Sequence, residues 1–414
     1  MRGWHVEQDC PQCGAPVALE ETDHMLSCGF CRVKFYMYAK DGHRYLLPPS
    51  GPMPADAAFF VPYWRFRGVI LSCLPYKIAN KRLDSTNRAF DLDSAPLTMG
   101  LRPQAMTLKF IQPDTPGRFM PPGINLPKAL NRIDKRLTII QKFGGGQTPF
   151  ASAFIGETAS LIYAPFYIKD GALHDGVLNT FLGDQPETVL DQAQPARKGA
   201  GLAVRFVPAI CPYCGWDLDG DKKSLVAICQ NCHKASATSA KGMNLIQYEL
   251  LASNPHAEYY LPFYRIGVRS EGLKLDTRAD LIRGANLPMA VQPSDEERPL
   301  FFWAPAFQAH ANMYLRLARN VTVDQPPEQY LDRLPSSARL APATTSLKDA
   351  VSGLKLYLAY MTQAKRALYP ELPHIRIKPT SASLVYIPFN PVGGELVNQD
   401  YQISVPPSVA GLSF

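Results

Sequence analysis

Cys10-Pro-Gln-Cys13 and Cys28-Gly-Phe-Cys31 lie fourteen residues apart near the start of the chain. Cys211-Pro-Tyr-Cys214 and Cys229-Gln-Asn-Cys232 repeat the pattern, with the same gap, in its second half. A Cys-x-x-Cys turn aims two thiolates at one point, and a hairpin of this length returns a second turn to complete a tetrahedron. Gly14 and Gly215 follow the leading turns, where a tight backbone lets amides approach the sulfurs. The reading is two metal ions, zinc ahead of iron, on Cys10, Cys13, Cys28 and Cys31 and on Cys211, Cys214, Cys229 and Cys232. Four thiolates leave no open position for water or substrate. Each site is therefore expected to hold shape, adding on the order of 10 kcal/mol to the folding of its ribbon. Disulfides are the poorer reading, because the spacing recurs and nothing marks export. His233 is read as a neighbour of the second site, and Cys73, in the apolar run Gly68-Val-Ile-Leu-Ser-Cys73, as a buried thiol.

The repetition extends beyond the cysteines. Val61-Pro-Tyr-Trp-Arg-Phe66 is answered by Leu261-Pro-Phe-Tyr-Arg-Ile266, and Ser160-Leu-Ile-Tyr-Ala-Pro-Phe166 by Ser383-Leu-Val-Tyr-Ile-Pro-Phe389. Between them Leu83-Asp-Ser85 is aligned with Leu275-Asp-Thr277, and Met106-Thr-Leu-Lys109 with Met313-Tyr-Leu-Arg316. The expected fold is α+β and β-rich, a tandem duplication in which each half is a four-cysteine zinc ribbon followed by a mixed β domain with one main helix. Its parts are a ribbon at 1–45, a β-rich domain at 46–185, a linker at 186–209, a ribbon at 210–245 and a β-rich domain at 246–414. Proline cannot donate to a ladder, so the four proline-bearing strands are expected at sheet edges or bulges, with the halves facing each other through them. Helices are expected over Pro127–Phe143 and Ser346–Leu368, where apolar residues recur at three- and four-residue steps.

The 414 residues exceed one ordinary core, and 46% hydrophobic with 19% charged is a globular composition. The net charge of +7 is spread evenly over the halves, which argues against a nucleic-acid-binding tail. No apolar run reads as a signal peptide or membrane span, and cysteines kept as thiolates suit the cytoplasm. Lys128, Arg132, Lys135, Arg136 and Lys142 put a basic face on the first helix, a candidate surface for phosphates, nucleic acid or anionic lipid. Arg65 and Arg265 recur at matched positions, which points to a shared structural task, pairing with a buried carboxylate such as Asp84 or Asp276. Gly144-Gly-Gly-Gln-Thr148 follows a helix and lacks Lys-Ser/Thr, so it reads as a helix stop and not a phosphate loop. The scattered histidines form no catalytic motif, and no enzyme is expected.

The Cys-Pro-x-Cys-Gly ribbons resemble those of transcription factors, RNA polymerase subunits, helicase accessory domains and bacterial zinc-ribbon proteins of unassigned role. The leading knuckles also resemble those of rubredoxins, which carry iron, but rubredoxins use that knuckle at both ends with a longer gap between. The resemblance covers about 22 residues per half and implies metal and fold, not substrate. The resulting expectation is a non-enzymatic zinc-binding scaffold that docks protein partners into a larger cytoplasmic complex. The alternative is nucleic-acid binding through the basic helix and ribbon tips, with peripheral membrane contact a third reading.

Overall fold

In a computed structural model of the chain, the described residues are 4–40, 42–54, 56–100, 106–126, 128–133, 148–185, 187–196, 203–254 and 256–412. The first half runs β1 His5–Asp9, β2 Pro16–Glu20, β3 Met25–Ser27, β4 Lys34–Tyr38, β5 Arg44–Leu46, β6 Ala58–Leu74, β7 Lys77–Arg88, β8 Leu108–Phe110, β9 Arg118–Phe119, β10 Ala151–Lys169, β11 Ala172–Asp175, β12 Phe181–Asp184 and β13 Gln194–Pro195. The second half runs β14 Arg205–Pro208, β15 Val226–Ile228, β16 Ala235–Ser239, β17 Gly242–Ile246, β18 Tyr248–Leu250, β19 Tyr259–Glu271, β20 Phe301–Pro305, β21 Arg339–Leu340, β22 Arg376–Val392, β23 Glu395–Asn398 and β24 Ile403–Val405. Helices lie at Arg278–Gly284, Pro293–Glu297, Ala311–Asp324, Leu347–Ser352, Leu354–Met361 and Lys365–Leu368.

Each half is built on a long antiparallel pair, β6 with β10 and β19 with β22, and the two pairs share one register. Pro62 faces Tyr163 and Arg65 faces Ser160, just as Pro262 faces Tyr386 and Arg265 faces Ser383. The flanking strands repeat as well. β5 and β18 lie parallel to β10 and β22, with Leu46 opposite Tyr163 and Leu250 opposite Tyr386. β7 and β20 are antiparallel to β6 and β19, with Arg88 opposite Tyr63 and Pro305 opposite Phe263.

Alternation along the strands explains why the motif is aromatic throughout. Phe59, Val61 and Tyr63 enter one core and Phe60, Trp64 and Phe66 the other, so this sheet is covered on both faces. In the second half Tyr259, Leu261 and Phe263 enter one core while Tyr260 and Tyr264 point to the opposite face. A strand buried on both faces reads as a continuous apolar run.

The proline-bearing strands are central, not at edges, and the expected edge-to-edge arrangement of the halves falls with that. The prolines occupy gaps where one short neighbour hands over to another. On the outer side of β6, β7 covers residues 63–74 and β9 reaches Phe60. Between them the Pro62 carbonyl accepts from Ala89 N, as Pro262 accepts from Ala306 N. Pro165 lies between β5 and β11 and accepts from Gly176 N, and Pro388 accepts from the Asn398 side chain at 2.8 Å. No ladder donor is missing where the neighbouring strand has already left.

Other expectations need correction. Leu83–Ser85 lies within β7, whereas Leu275–Thr277 precedes a helix that Thr277 caps. Met106–Lys109 leads into β8, whereas Met313–Arg316 belongs to the helix Ala311–Asp324. The second half therefore holds several helices, not one main helix. The helix expected over Ser346–Leu368 is broken at Gly353 and Thr362 into Leu347–Ser352, Leu354–Met361 and Lys365–Leu368. Of the helix expected over Pro127–Phe143, residues 128–133 are helical. Its remainder, and Gly144–Gln147, lie outside the described residues. The stretch read as a linker carries a 3-10 turn, Glu187–Gln192, and two strands, and β14 pairs with β4 of the first ribbon.

The halves pack directly together. The far ends of β6 and β10, with Leu71, Cys73 and Ala153, share a core with Leu281, Tyr314, Tyr357 and Leu358 from the helices of the second half. Cys73 is fully buried there, and burial pushes its thiol up to about 12.

Candidate metal centres and the surrounding charge network

Each ribbon presents two knuckles closed by backbone hydrogen bonds. Gly14 N donates to Cys10 O, Arg32 N to Cys28 O, Gly215 N to Cys211 O and His233 N to Cys229 O, each at 2.9–3.0 Å. The residue closing each turn has positive φ: +74° at Gly14 and +72° at Gly215, but also 62° at Arg32 and 56° at His233. Glycine relieves this strain in the leading knuckles only. His233 thus owes its place to the turn, and the sulfur cluster of its ribbon is complete without it.

The eight cysteines converge as two sets. Within each, all four sulfurs lie within 4.8 Å of one another. Cys10–Cys31 and Cys13–Cys28 are 3.7 Å apart, and Cys211–Cys232 and Cys214–Cys229 are 3.6 Å apart. A tetrahedron with metal–sulfur bonds of about 2.3 Å has edges of about 3.8 Å, so each set fits a single ion. The charge state fits too. The backbone amides of Cys31 and Phe30 draw the Cys28 thiol down to about 6. The Trp216 amide and the Asn231 side chain do the same for Cys214. Cys31 is pushed up to about 12 although the Val33 amide favours its thiolate, because burial and the sulfurs of Cys13, Cys28 and Cys10 oppose a further negative charge. Burial and neighbouring sulfurs raise Cys232 likewise to about 12. A bound divalent cation removes that conflict. All four ligand positions are protein sulfur, so the group these residues would hold supplies cross-linking and no reactive position.

The ribbons are joined. β14 pairs with β4 from Arg205–Tyr38 to Pro208–Phe35. His24 N and Met25 N both donate to Lys222 O, at 2.7 and 3.0 Å. Met25 and Tyr36 of the first ribbon share a core with Cys211, Leu218 and Cys229 of the second. Lys34 pairs with Asp219, and Lys223 with Glu20 at 3.0 Å.

Beneath the first ribbon lies a charge network that extends beyond the Arg65–Asp84 pair expected from the sequence. Arg65, 1% exposed, donates through Nε and Nη2 to Glu21 at 3.2 and 3.1 Å and through Nη1 to Asp84 at 2.7 Å. Its guanidinium lies 3.8 Å from the ring centroid of Trp4. Arg67 bridges Glu21 and Glu157. The Asp84 partner expected for Arg65 is therefore present, with Glu21 added. Arg265 takes Glu328 and not Asp276, and stacks over Phe301. Glu21 carries no motif and lies 44 residues from its partner, so only the folded chain identifies it.

A cleft of about 530 Å³ lies between the halves, lined in part by His24, His43, Phe154, Glu157, Lys348 and Asp349. Burial pushes His43 down to about 4 and keeps it neutral; its Nδ1 is 3.2 Å from Tyr45 Oη. Ser346 and Asp349, 2.7 Å apart, form the cap of the helix that follows. Of the candidate basic face, Lys128 is exposed and Arg132 lies 3.3 Å from Asp91. Lys135, Arg136 and Lys142 lie outside the described residues. Among the described residues no helix is long and apolar enough to cross a membrane. No family model, curated protein or solved structure matches the chain.

Proposed function

We propose that the chain is a two-zinc docking protein, built by tandem duplication, whose metals hold shape and whose surface assembles protein partners. The observation that carries this reading is the pair of closed four-sulfur sets, whose ribbons are joined where Met25 and Tyr36 of the first pack with Cys211 and Cys229 of the second. A closed thiolate site stiffens backbone without offering chemistry, and two such sites side by side make a rigid platform. Zinc is preferred to iron because the trailing knuckles turn through Arg32 and His233 in place of the rubredoxin-like glycine. Duplication accounts for the common strand register and for the matched proline gaps. Nucleic-acid binding is the weaker reading. It rests on the basic helix, where Arg132 is already engaged by Asp91.

The test has two arms. Protein purified without chelator is expected to carry two zinc ions per chain, one for each set, by plasma mass spectrometry. In nuclease-treated lysate it is expected to elute within an assembly larger than the free chain. Fewer ions, or iron in their place, overturns the zinc assignment. Elution as the free chain, or an assembly that nuclease dissolves, overturns the docking role.

A further inference from the structure

β7 runs beside β6, from Lys77 opposite Leu74 to Arg88 opposite Tyr63, and among the described strands it pairs with no other. At its end Arg88 N donates away from β6, to Leu97 O at 2.9 Å. By the period of two, Ile78, Asn80, Arg82 and Asp84 turn their amides and carbonyls the same way. Among the described residues those backbone groups meet no partner. The second half provides an internal control. There β20 takes the place of β7: Phe301 faces Gly267 and Trp303 faces Arg265, where the first half sets Asp84 against Arg67 and Thr86 against Arg65. The outward groups of β20 are claimed from within the chain. Thr322 Oγ1 accepts from Trp303 N at 2.9 Å, and the Gln325 side chain accepts from Phe301 N at 3.1 Å and donates to Phe301 O at 2.6 Å. One edge is thus covered by the end of the helix Ala311–Asp324, and its longer counterpart lies open. An unpaired edge of this length is a template for a further strand.

We infer that the outer edge of β7, from Ile78 to Asp84, accepts an acidic, extended polypeptide segment of a protein partner as an added strand. This rests on the docking role proposed above and names its surface and partner chemistry. The edge offers donors and acceptors in alternation. Another backbone matches both, whereas a phosphate chain brings acceptors alone. Charge selects the guest's side chains. Arg65, Arg67 and Arg82 are matched on this sheet by Glu21, Asp84 and Glu157. Lys77 and Lys81 are exposed, and among the described residues neither has a carboxylate partner, so the excess along the edge is positive. A groove of about 340 Å³ opens beside the strand where Asn80 Nδ2 donates to Asn312 Oδ1 at 3.3 Å. Its charged lining residues are Arg82 and Glu157, which pair with each other, and His310 is its remaining titratable group. The groove therefore adds no negative field against an acidic guest. The same lysines oppose pairing with β7 of a second copy, which would set like charges side by side. A strand with glutamates at alternate positions meets them favourably.

Full-length protein would be titrated with a labelled peptide alternating threonine and glutamate, with its threonine–lysine counterpart, and with oligothymidylate, each read by fluorescence anisotropy. The threonine–glutamate peptide is expected to bind and to slow hydrogen exchange at the amides of Ile78, Asn80, Arg82 and Asp84, as an added strand requires. The double variant Lys77→Glu, Lys81→Glu alters exposed side chains without partners and should keep the fold. Its affinity for the threonine–glutamate peptide is expected to fall about ten-fold, with the preference turned toward the threonine–lysine peptide. Equal binding of both peptides by the wild type, preference for the oligonucleotide, binding without slowed exchange in β7, or unchanged affinity of the variant overturns the assignment. A wild-type dimer whose β7 amides are already protected gives the edge to a second copy and overturns it as well. In nuclease-treated lysate the variant should leave the large assembly. If it stays while the wild type is also assembled, docking occurs elsewhere and only this inference fails. If the wild type is itself free, the docking role fails with it.

Discussion

At the scale of single residues, Arg65 shows how a matched position can keep its identity while its setting diverges. Its partner Glu21 is 2% exposed and receives three hydrogen bonds from Arg65 and Arg67. Replacing one member of a buried ionic cluster strands the opposite charge, which costs about 3–5 kcal/mol. Glu21→Gln is expected to lower the unfolding free energy by that amount, read as a lower denaturant midpoint at constant m-value. A loss under about 1 kcal/mol would mean that Asp84 alone satisfies Arg65. His43 gives a pH-dependent counterpart. Burial lowers its pKa from 6.5 to about 4 in the folded chain. The unfolded chain therefore takes up a proton that the folded chain refuses, so this contribution is intact above about pH 6.5 and is lost as pH falls toward 4. The span amounts to about 3 kcal/mol at most. His43→Phe should flatten the stability profile between those pH values, measured by denaturant titration at each pH. An unchanged slope would place the acid sensitivity in other groups, among them the neighbouring His24, which burial lowers to about 3.

At the scale of elements, the proline strands and the broken helix share a lesson about local pattern. Proline in an apolar run signals a missing donor, and the usual inference is an edge. Here the donor is missing because the neighbour changes at that residue, which depends on strands more than twenty residues away in sequence. The apolar stripe Leu347, Val351, Leu354, Leu358 and Met361 does read as helical, and most of it is. The break at Gly353 is a packing event. A Cβ there would lie 2.3 Å from Tyr357 Oη, which donates to Ala350 O at 2.9 Å and lies 3.3 Å from Tyr314 Oη. Gly353→Ala should gain helix propensity locally and still destabilise by about 1–3 kcal/mol through overpacking. A rise in melting temperature would show that the tyrosine pair rearranges freely. The helix Ala311–Asp324 lies where the sequence aligns Met313–Arg316 with Met106–Lys109, which leads into β8. Its own signal was present, in Tyr314, Leu317, Ala318 and Val321 at helical spacing.

At the scale of the whole molecule, the two ribbons are expected to fail together. Cys211 and Cys229 pack against Met25 and Tyr36, and β14 completes the sheet of β3 and β4. Losing the second metal would remove folding energy on the order of 10 kcal/mol from one ribbon and uncover the core of the other. Cys214→Ser is therefore expected to abolish hydrogen-exchange protection in β16 and also to weaken it in β4, though the first four cysteines are intact. Full protection of β4 in that variant would show that the first ribbon stands alone. Chelator treatment should likewise loosen the ribbons and weaken protection of the β6–β10 pair only in part, since one face of that pair shares its core with Cys10 and Cys28 while the other draws on cores without ribbon cysteines.

The cysteine spacing alone located both four-sulfur sets. Four sulfurs separated by short, turn-forming stretches have few ways to meet, and the matched spacing made the second site legible from the first. Paired aromatic-proline motifs likewise disclosed the two-fold repetition, because long hairpin strands carry their register in alternating side chains. Tertiary structure decided everything that depends on which distant strand lies alongside. It placed the proline strands at the centre, tied β14 to the first ribbon, and brought Glu21 to Arg65 across 44 residues. It also left Tyr213 and Trp216 in water. Composition marks such residues as core, and only the folded surface reveals that among the described residues they stand exposed.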